Sequence, residues 1–298
     1  MVLPYNQRTG NESIVYFTRD LSSRGLIKAY EKVCGNISGR VGVKLHTGEK
    51  KGPNIIPRGW VKKLIEKDLP GASIIETNTY YEGDRYTTEL HRETLKVNGW
   101  TFCPVDILDE EGTVNLPIIG GKWFKEMSVG SHLTEYDSMV ALTHFKGHTM
   151  AGFGGAIKNI SIGFGSSMGK VWIHSGGTRT SGGIWGDQDS FLEAMADAAK
   201  GVNDIMGEDI VYISVLNRLS VDCDCDGSPA KPDMHDIGIL ASLDPLAIDQ
   251  AAIDLVYAMP DSASLVRRIE SRNGLHTLEA GEQNGLGNRY YQLVIVNK

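Results

Sequence analysis

The feature that most constrains this chain is an alternation along its first third. Short apolar runs at 13–17, 41–45 and 73–76 read as strands. Between and after them, 25–33, 60–69 and 91–97 carry apolar residues at helical spacing. Strand and helix exchanged at this interval make βαβ units and a mainly parallel sheet. In such sheets ligands sit in the loops beyond the carboxyl ends of the strands. Two loops of this kind stand out, one with Lys44 and His46 at a strand end, the other with Asn78 and Thr79.

Beyond residue 101 the signals are strand-rich up to about 140. An apolar strand at 139–143 runs into His144, and a glycine-rich stretch then reads as a loop opening a helix near Gly155. Turns are expected at Ser175-Gly176-Gly177 and Ser181-Gly182-Gly183. A long amphipathic helix is expected at 191–206 and strands at 210–215 and 237–241. Asp244 and Pro245 are placed to start a helix over 246–257, as N-cap and first-turn proline. A helix at 275–282 and a closing strand at 290–296 complete the chain. The expected fold is α/β, with mainly parallel sheets and flanking helices. Two lobes are expected, about 1–135 and about 136–298, with a cleft between them; 298 residues are enough for a sizeable core.

Charge narrows the function classes. A net charge of −7 and a pI near 5.6 argue against general nucleic-acid or anionic-membrane binding. No stretch approaches the roughly 18 apolar residues of a membrane span. The first residues lack a basic segment followed by an apolar one, so a cytoplasmic location is expected. Cys34, Cys103, Cys223 and Cys225 form no regular framework, and reduced thiols are expected.

Three constellations can carry chemistry. The first runs from Thr143 to Asn159 and contains His144, His148, Gly152, Gly154, Gly155, Lys158 and Asn159. Glycines let backbone approach a ligand and expose amide groups at a helix start, which suits an anion or a cofactor phosphate. Histidine moves protons near neutral pH or binds metal, and lysine supplies charge or a nucleophilic amine. The bland alternative is a tight packing loop. The second is His174, sixteen positions after Lys158; a lone histidine is more often structural than a ligand. The third is Asp222-Cys223-Asp224-Cys225, followed by His235. Two thiolates and an imidazole suit zinc, iron or nickel, though C-x-C is a weak spacing and a buried cysteine pair is the plain alternative. The acidic neighbours should raise the thiol pKa unless a metal binds. His91, His132 and His276 show no obvious partners and read as structural.

The run HFKGHTMAGFGGAIKN, the Asp-Cys-Asp-Cys motif and the stretch DIGILASLDPLAIDQAAIDLV resemble a widespread prokaryotic family of uncharacterised iron–sulfur-centre proteins, the domain of unknown function 362 family. Many members carry a ferredoxin-like insertion after the position of His174. Here residues 175–186 hold no cysteine, so a ferredoxin-type cluster is not expected. The His148, Gly154-Gly155, Lys158, His174 spacing is also similar to that of the nickel-pincer lactate racemase family. That resemblance implies proton exchange at His148, a covalently attached cofactor at Lys158 and nickel at His174. Ile157 departs from it, because that family has arginine there.

Together these readings lead to a metal-dependent enzyme for a small anionic substrate of the hydroxy- or oxo-acid kind. His148, Lys158 and His144 would be catalytic, and Gly152, Gly154, Gly155, Lys158 and Asn159 would bind the cofactor. A divalent metal (Ni, Fe or Zn) would be held by His174, Cys223, Cys225 and His235. Two alternatives stay open: a non-catalytic metal or cofactor carrier with a redox protein partner, and a phosphate- or nucleotide-binding protein.

Overall fold

The computed structural model describes residues 3–178 and 186–296. The chain begins β1 (Ser13–Thr18), α1 (Ser23–Tyr30), β2 (Val41–Lys44), α2 (Arg58–Asp68), β3 (Ser73–Glu76), α3 (Thr88–Val97) and β4 (Val105–Ile107). It continues β5 (Thr113–Pro117), β6 (Glu126–Gly130), β7 (Ser138–His144), β8 (Lys146–His148), β9 (Gly152–Gly154), α4 (Ala156–Ser161) and α5 (Ser167–His174). Then come α6 (Gln188–Met206), β10 (Ile210–Leu216), β11 (Gly238–Ser242), α7 (Pro245–Tyr257), α8 (Ala263–Ser271), α9 (His276–Gln283) and β12 (Tyr291–Ile295). The turn expected at Ser181-Gly182-Gly183 lies outside the described residues.

Eight strands form one sheet in the order β12-β1-β11-β10-β7-β2-β3-β4. All pairings are parallel except the two made by β11. The exception has a physical reason. A parallel return needs a crossover, usually a helix, whereas residues 217–237 between β10 and β11 form no helix and carry the cysteine motif instead. The sheet is mainly parallel, as expected, and antiparallel only at β11.

Both faces of the sheet are covered, which is why its central strands are apolar on both sides. Along β7, Met139 and Ala141 pack into one core cluster and Val140 and Leu142 into the other. The second cluster includes Leu26 of α1, Leu64 of α2 and Leu95 of α3; the first includes Ile157 of α4, Met195 of α6 and Ile248 of α7. Asp244 caps α7 as its sequence suggests, accepting from the Leu246 and Ala247 amides at 2.8 and 3.0 Å, with Pro245 at the first position. The glycine-rich stretch after His144 is more ordered than a loop: β8 and β9 pair as a short hairpin. Among the described residues no helix is long and apolar enough to cross a membrane.

Candidate functional site

Strands β2, β3, β7 and β10 are mutually parallel neighbours, so their carboxyl ends share one edge of the sheet. There they deliver Lys44 and His46, Glu76 and Thr77, His144 with the β8–β9 hairpin, and the turn with Cys223 and Cys225. A cavity of about 250 Å³ lies at this edge, and Lys44, Arg85, Lys146, Lys158 and Lys170 all line it. His46, His148, His174 and Cys225 line it as well. A positive cavity in a chain of net charge −7 is a local arrangement that composition conceals.

Three of these cations are already paired. Lys44 meets Glu76 at 2.7 Å with both side chains buried. Arg85 meets Glu49 at 2.7 Å, and Lys146 meets Asp224 at 3.2 Å. Against the cost of burial, Lys44, His46 and Arg85 hold the Glu76 carboxyl well below the usual range. Among the described residues, Lys158 and Lys170 have no carboxylate at ion-pair distance.

His148 and His174 are held in opposite hydrogen-bonding states. His148 Nδ1 accepts from the Met150 and Ala151 amides at 3.2 and 3.0 Å. A neutral imidazole with its Nδ1 lone pair engaged carries its proton on Nε2. His174 Nδ1 lies 2.7 Å from the Lys170 carbonyl, which can only accept, so Nδ1 carries the proton and Nε2 keeps its lone pair. Burial, then the charge of Lys158, lowers the His148 pKa well below the usual imidazole value. Burial lowers that of His174 to about 4. Both rings are thus neutral near pH 7, one a donor and one an acceptor.

The third predicted catalytic residue has a different position. His144 lines the cavity, but both its nitrogens are engaged: Nδ1 with the Asp224 carboxylate at 2.8 Å and Nε2 with the Asn217 carbonyl at 2.7 Å. It positions the cysteine turn and has no nitrogen left for a substrate.

The glycine cradle is also corrected. The Ala156 and Ile157 amides at the start of α4 are taken by the Asp249 carboxylate at 2.7 and 2.9 Å. Gly155 is glycine because a Cβ there would lie 2.3 Å from an Asp249 oxygen. Gly152 has φ +79° and packs against α8 near the Ile269 carbonyl, outside the cavity wall. Gly154 and Gly155 do line the cavity, Gly154 between Lys146 and Lys158. Asn159 lines it too, and its amide ties β7 to β2 through Thr143 Oγ1 at 3.1 Å and the Lys44 carbonyl at 3.4 Å.

Cys223 and Cys225 sit in a turn, not in a strand. Gly147 lets the hairpin dock there: a Cβ would lie 2.2 Å from the Val221 carbonyl oxygen, and the Gly147 amide donates to Ser220 at 2.8 Å. Ligand atoms of His148, Cys223 and Cys225 lie within 4.8 Å of one another. The acidic neighbours do not govern the thiols, because Asp224 is paired with His144 and Lys146, and Asp222 with Arg268. The Cys225 thiol and the charges of Lys158 and Lys146 lower the Cys223 pKa, while that of Cys225 is raised by its bond to Cys223 and by burial.

His235 is not brought to the cysteines. Its side chain is 88% exposed and bonded to Asp261. Nor does His174 belong to the cysteine group, although it shares the cavity. His91, His132 and His276 have partners that the sequence did not suggest, Asn78, Asp106 and Glu193. Glu76, Arg85 and Lys170 belong to no recognisable motif, and Lys146, although it lies within the HFKGH run, carries no signal there that sets it apart.

Comparison with curated proteins matched none. Among solved structures, the lactate racemase apoprotein of Thermoanaerobacterium thermosaccharolyticum is 12% identical, with a TM-score of 0.44 over 85% of this chain and 58% of that one. A Thermotoga maritima protein is also 12% identical, with a TM-score of 0.41 over 88% of this chain and 58% of that one. This chain therefore spans under two thirds of the length of either. The model of DUF362, a domain of unknown function, matches residues 41–254, and the chain belongs to that family.

Proposed function

We propose that this chain is an enzyme that binds a small anion of the hydroxy- or oxo-acid kind and transfers a proton on it, with a divalent metal held at the cysteine turn. The observation that carries this reading is the pairing of a donor imidazole, His148, with an acceptor imidazole, His174, in one cavity that Lys158 also lines without a carboxylate at ion-pair distance. Lys158 offers its ammonium to the anionic group. His174 Nε2 takes a proton from the substrate and returns it, while His148 Nε2–H donates a hydrogen bond to the substrate oxygen on which charge develops.

The cysteine turn fits a soft or borderline metal in part. Cys223 and Cys225 supply two sulfurs at ligating separation. With its lone pair at Nδ1 taken by two amides, His148 is a hydrogen donor in this arrangement and not a third ligand. A bound zinc, iron or nickel ion would polarise a substrate oxygen. The phosphate-cradle alternative has little support, since Asp249 occupies the amides that it needs.

The test follows carbon–hydrogen exchange by NMR, with protein purified anaerobically and a panel of 2-hydroxy and 2-oxo acids in deuterated buffer. Wild type should exchange at least one acid, and His174→Gln should be slower by about 100-fold or more. Elemental analysis should find a metal that Cys223→Ser/Cys225→Ser loses. No exchange across the panel, or equal rates in His148→Gln, His174→Gln and wild type, would sink the proposal.

A further inference from the structure

Lys170 has no role in the proton transfer just described, and its surroundings are unusual for a lysine. It lies in α5, lines the cavity and is 8% exposed. Its Nζ donates to Thr77 Oγ1 at 2.6 Å and to the Gly165 carbonyl at 2.5 Å. Thr77 Oγ1 in turn donates to the Gly163 carbonyl, which fixes the hydroxyl as an acceptor toward Lys170. Both bonds to Nζ thus use its hydrogens. One tetrahedral position of the nitrogen stays free of protein partners among the described residues. In an ammonium that position holds a third hydrogen; in an amine it holds the lone pair.

Neutral acceptors do little to keep a buried ammonium charged. Burial, together with Lys44 and Arg85, lowers the Lys170 pKa to about 7, against the pull of Asp109 and Glu76. The amine form is thus well populated near neutrality. His174 follows Lys170 by one helical turn and bonds its carbonyl, so both project from one face of α5 toward the cavity. His174 Nε2 can accept a proton there.

We propose that Lys170 is a nucleophilic amine that forms a reversible imine with a small 2-oxo acid, whose carboxylate is held by Lys158. The inference rests on the anion-binding reading above. The Lys170 nitrogen lone pair attacks the substrate carbonyl carbon. A C–N bond forms, the carbonyl π pair moves to oxygen, and that oxygen takes the proton released from nitrogen. His174 can relay this proton. Loss of the oxygen as water then leaves a C=N bond, so ketone plus amine become imine plus water. Lys158 is the counter-charge and not the nucleophile, because it is only half-buried and its charge acts on Cys223.

The test is reductive trapping. The full-length protein is incubated at pH 7 with pyruvate or glyoxylate and cyanoborohydride, which delivers hydride to an imine carbon and fixes it as a secondary amine. The adduct is mapped by peptide mass, and pyruvate binding without reductant is measured in parallel by calorimetry. The expected result is one adduct per chain at Lys170, at about tenfold or more the occupancy of any other lysine. Lys170→Arg should lose it, with the fold checked by circular dichroism; the wild-type map stands even if that variant does not fold. Adducts spread over surface lysines, or centred on Lys158, would overturn the proposal. Pyruvate binding without an adduct at Lys170 would overturn the imine and leave the anion site standing. Neither binding nor adduct would overturn both.

Discussion

At the start of α4 the Ala156 and Ile157 amides are satisfied by Asp249, and Gly155 exists to let that carboxylate approach. A few residues away, the cavity wall leaves Lys158 without a carboxylate, His174 with a bare Nε2 and His148 with an uncommitted Nε2–H. His148 and Lys158 belong to the same glycine-rich stretch as that helix start, His174 follows in α5, and both regions are polar. The first is closed on itself; the second has hydrogen-bonding capacity left for a ligand. The contrast teaches that glycine and histidine content marks where backbone and ligand come close, whereas function follows from which groups the fold leaves unsatisfied.

If the contrast is sound, removing a satisfied group should cost stability, and removing an uncommitted one should cost binding instead. The largest effect is expected at Glu76, which belongs to the satisfied class although it lines the cavity. Glu76→Ala strands the buried Lys44 ammonium and should lower unfolding free energy by about 3–5 kcal/mol, read from the denaturant midpoint. Gly155→Ala should cost about 2–3 kcal/mol, because its Cβ displaces the Asp249 carboxylate. It should be less than additive with Asp249→Ala, since the two lose the same contact.

Asp249 also sharpens the comparison through pH. Burial raises its pKa to about 7 from an ordinary carboxyl value of 3.8. Between those values the folded chain retains a proton that the unfolded chain has lost. Stability should therefore fall as pH rises from about 4 to about 7, and Asp249→Asn should flatten that part of the profile in thermal melts. The smallest stability change is expected for Lys158→Met, within about 1 kcal/mol. Its binding of small carboxylates should nonetheless weaken by about tenfold or more, as expected for loss of a charged hydrogen bond.

What the sequence disclosed divides along the same line. The strands, most of the helices and the Asp244 cap follow from local periodicity and capping chemistry, so they were legible. Helix α5 was obscured by Gly163, Gly165 and Gly169, although Ser166 caps it through the Gly169 amide at 3.1 Å. The reversal of β11 comes from a missing crossover helix, which strand patterning alone does not report. Within the site, His148, Lys158 and His174 stood out because they lie in or near one motif. Asp249 meets the Ala156 amide from 93 residues away, and Glu76, Arg85 and Lys170 reach the cavity from separate elements. Such convergence leaves no local signature. His235 shows the converse, since nearness in sequence to the cysteines did not bring it to them.

The most direct measurement is calorimetric titration of a small carboxylate such as pyruvate into wild type, Lys158→Met and the surface control Lys122→Met. Saturable binding by wild type and the control, weakened about tenfold or more in Lys158→Met, is the predicted result. Absence of binding to wild type, or equal affinity in all three, would contradict the claim that these uncommitted groups form an anion site.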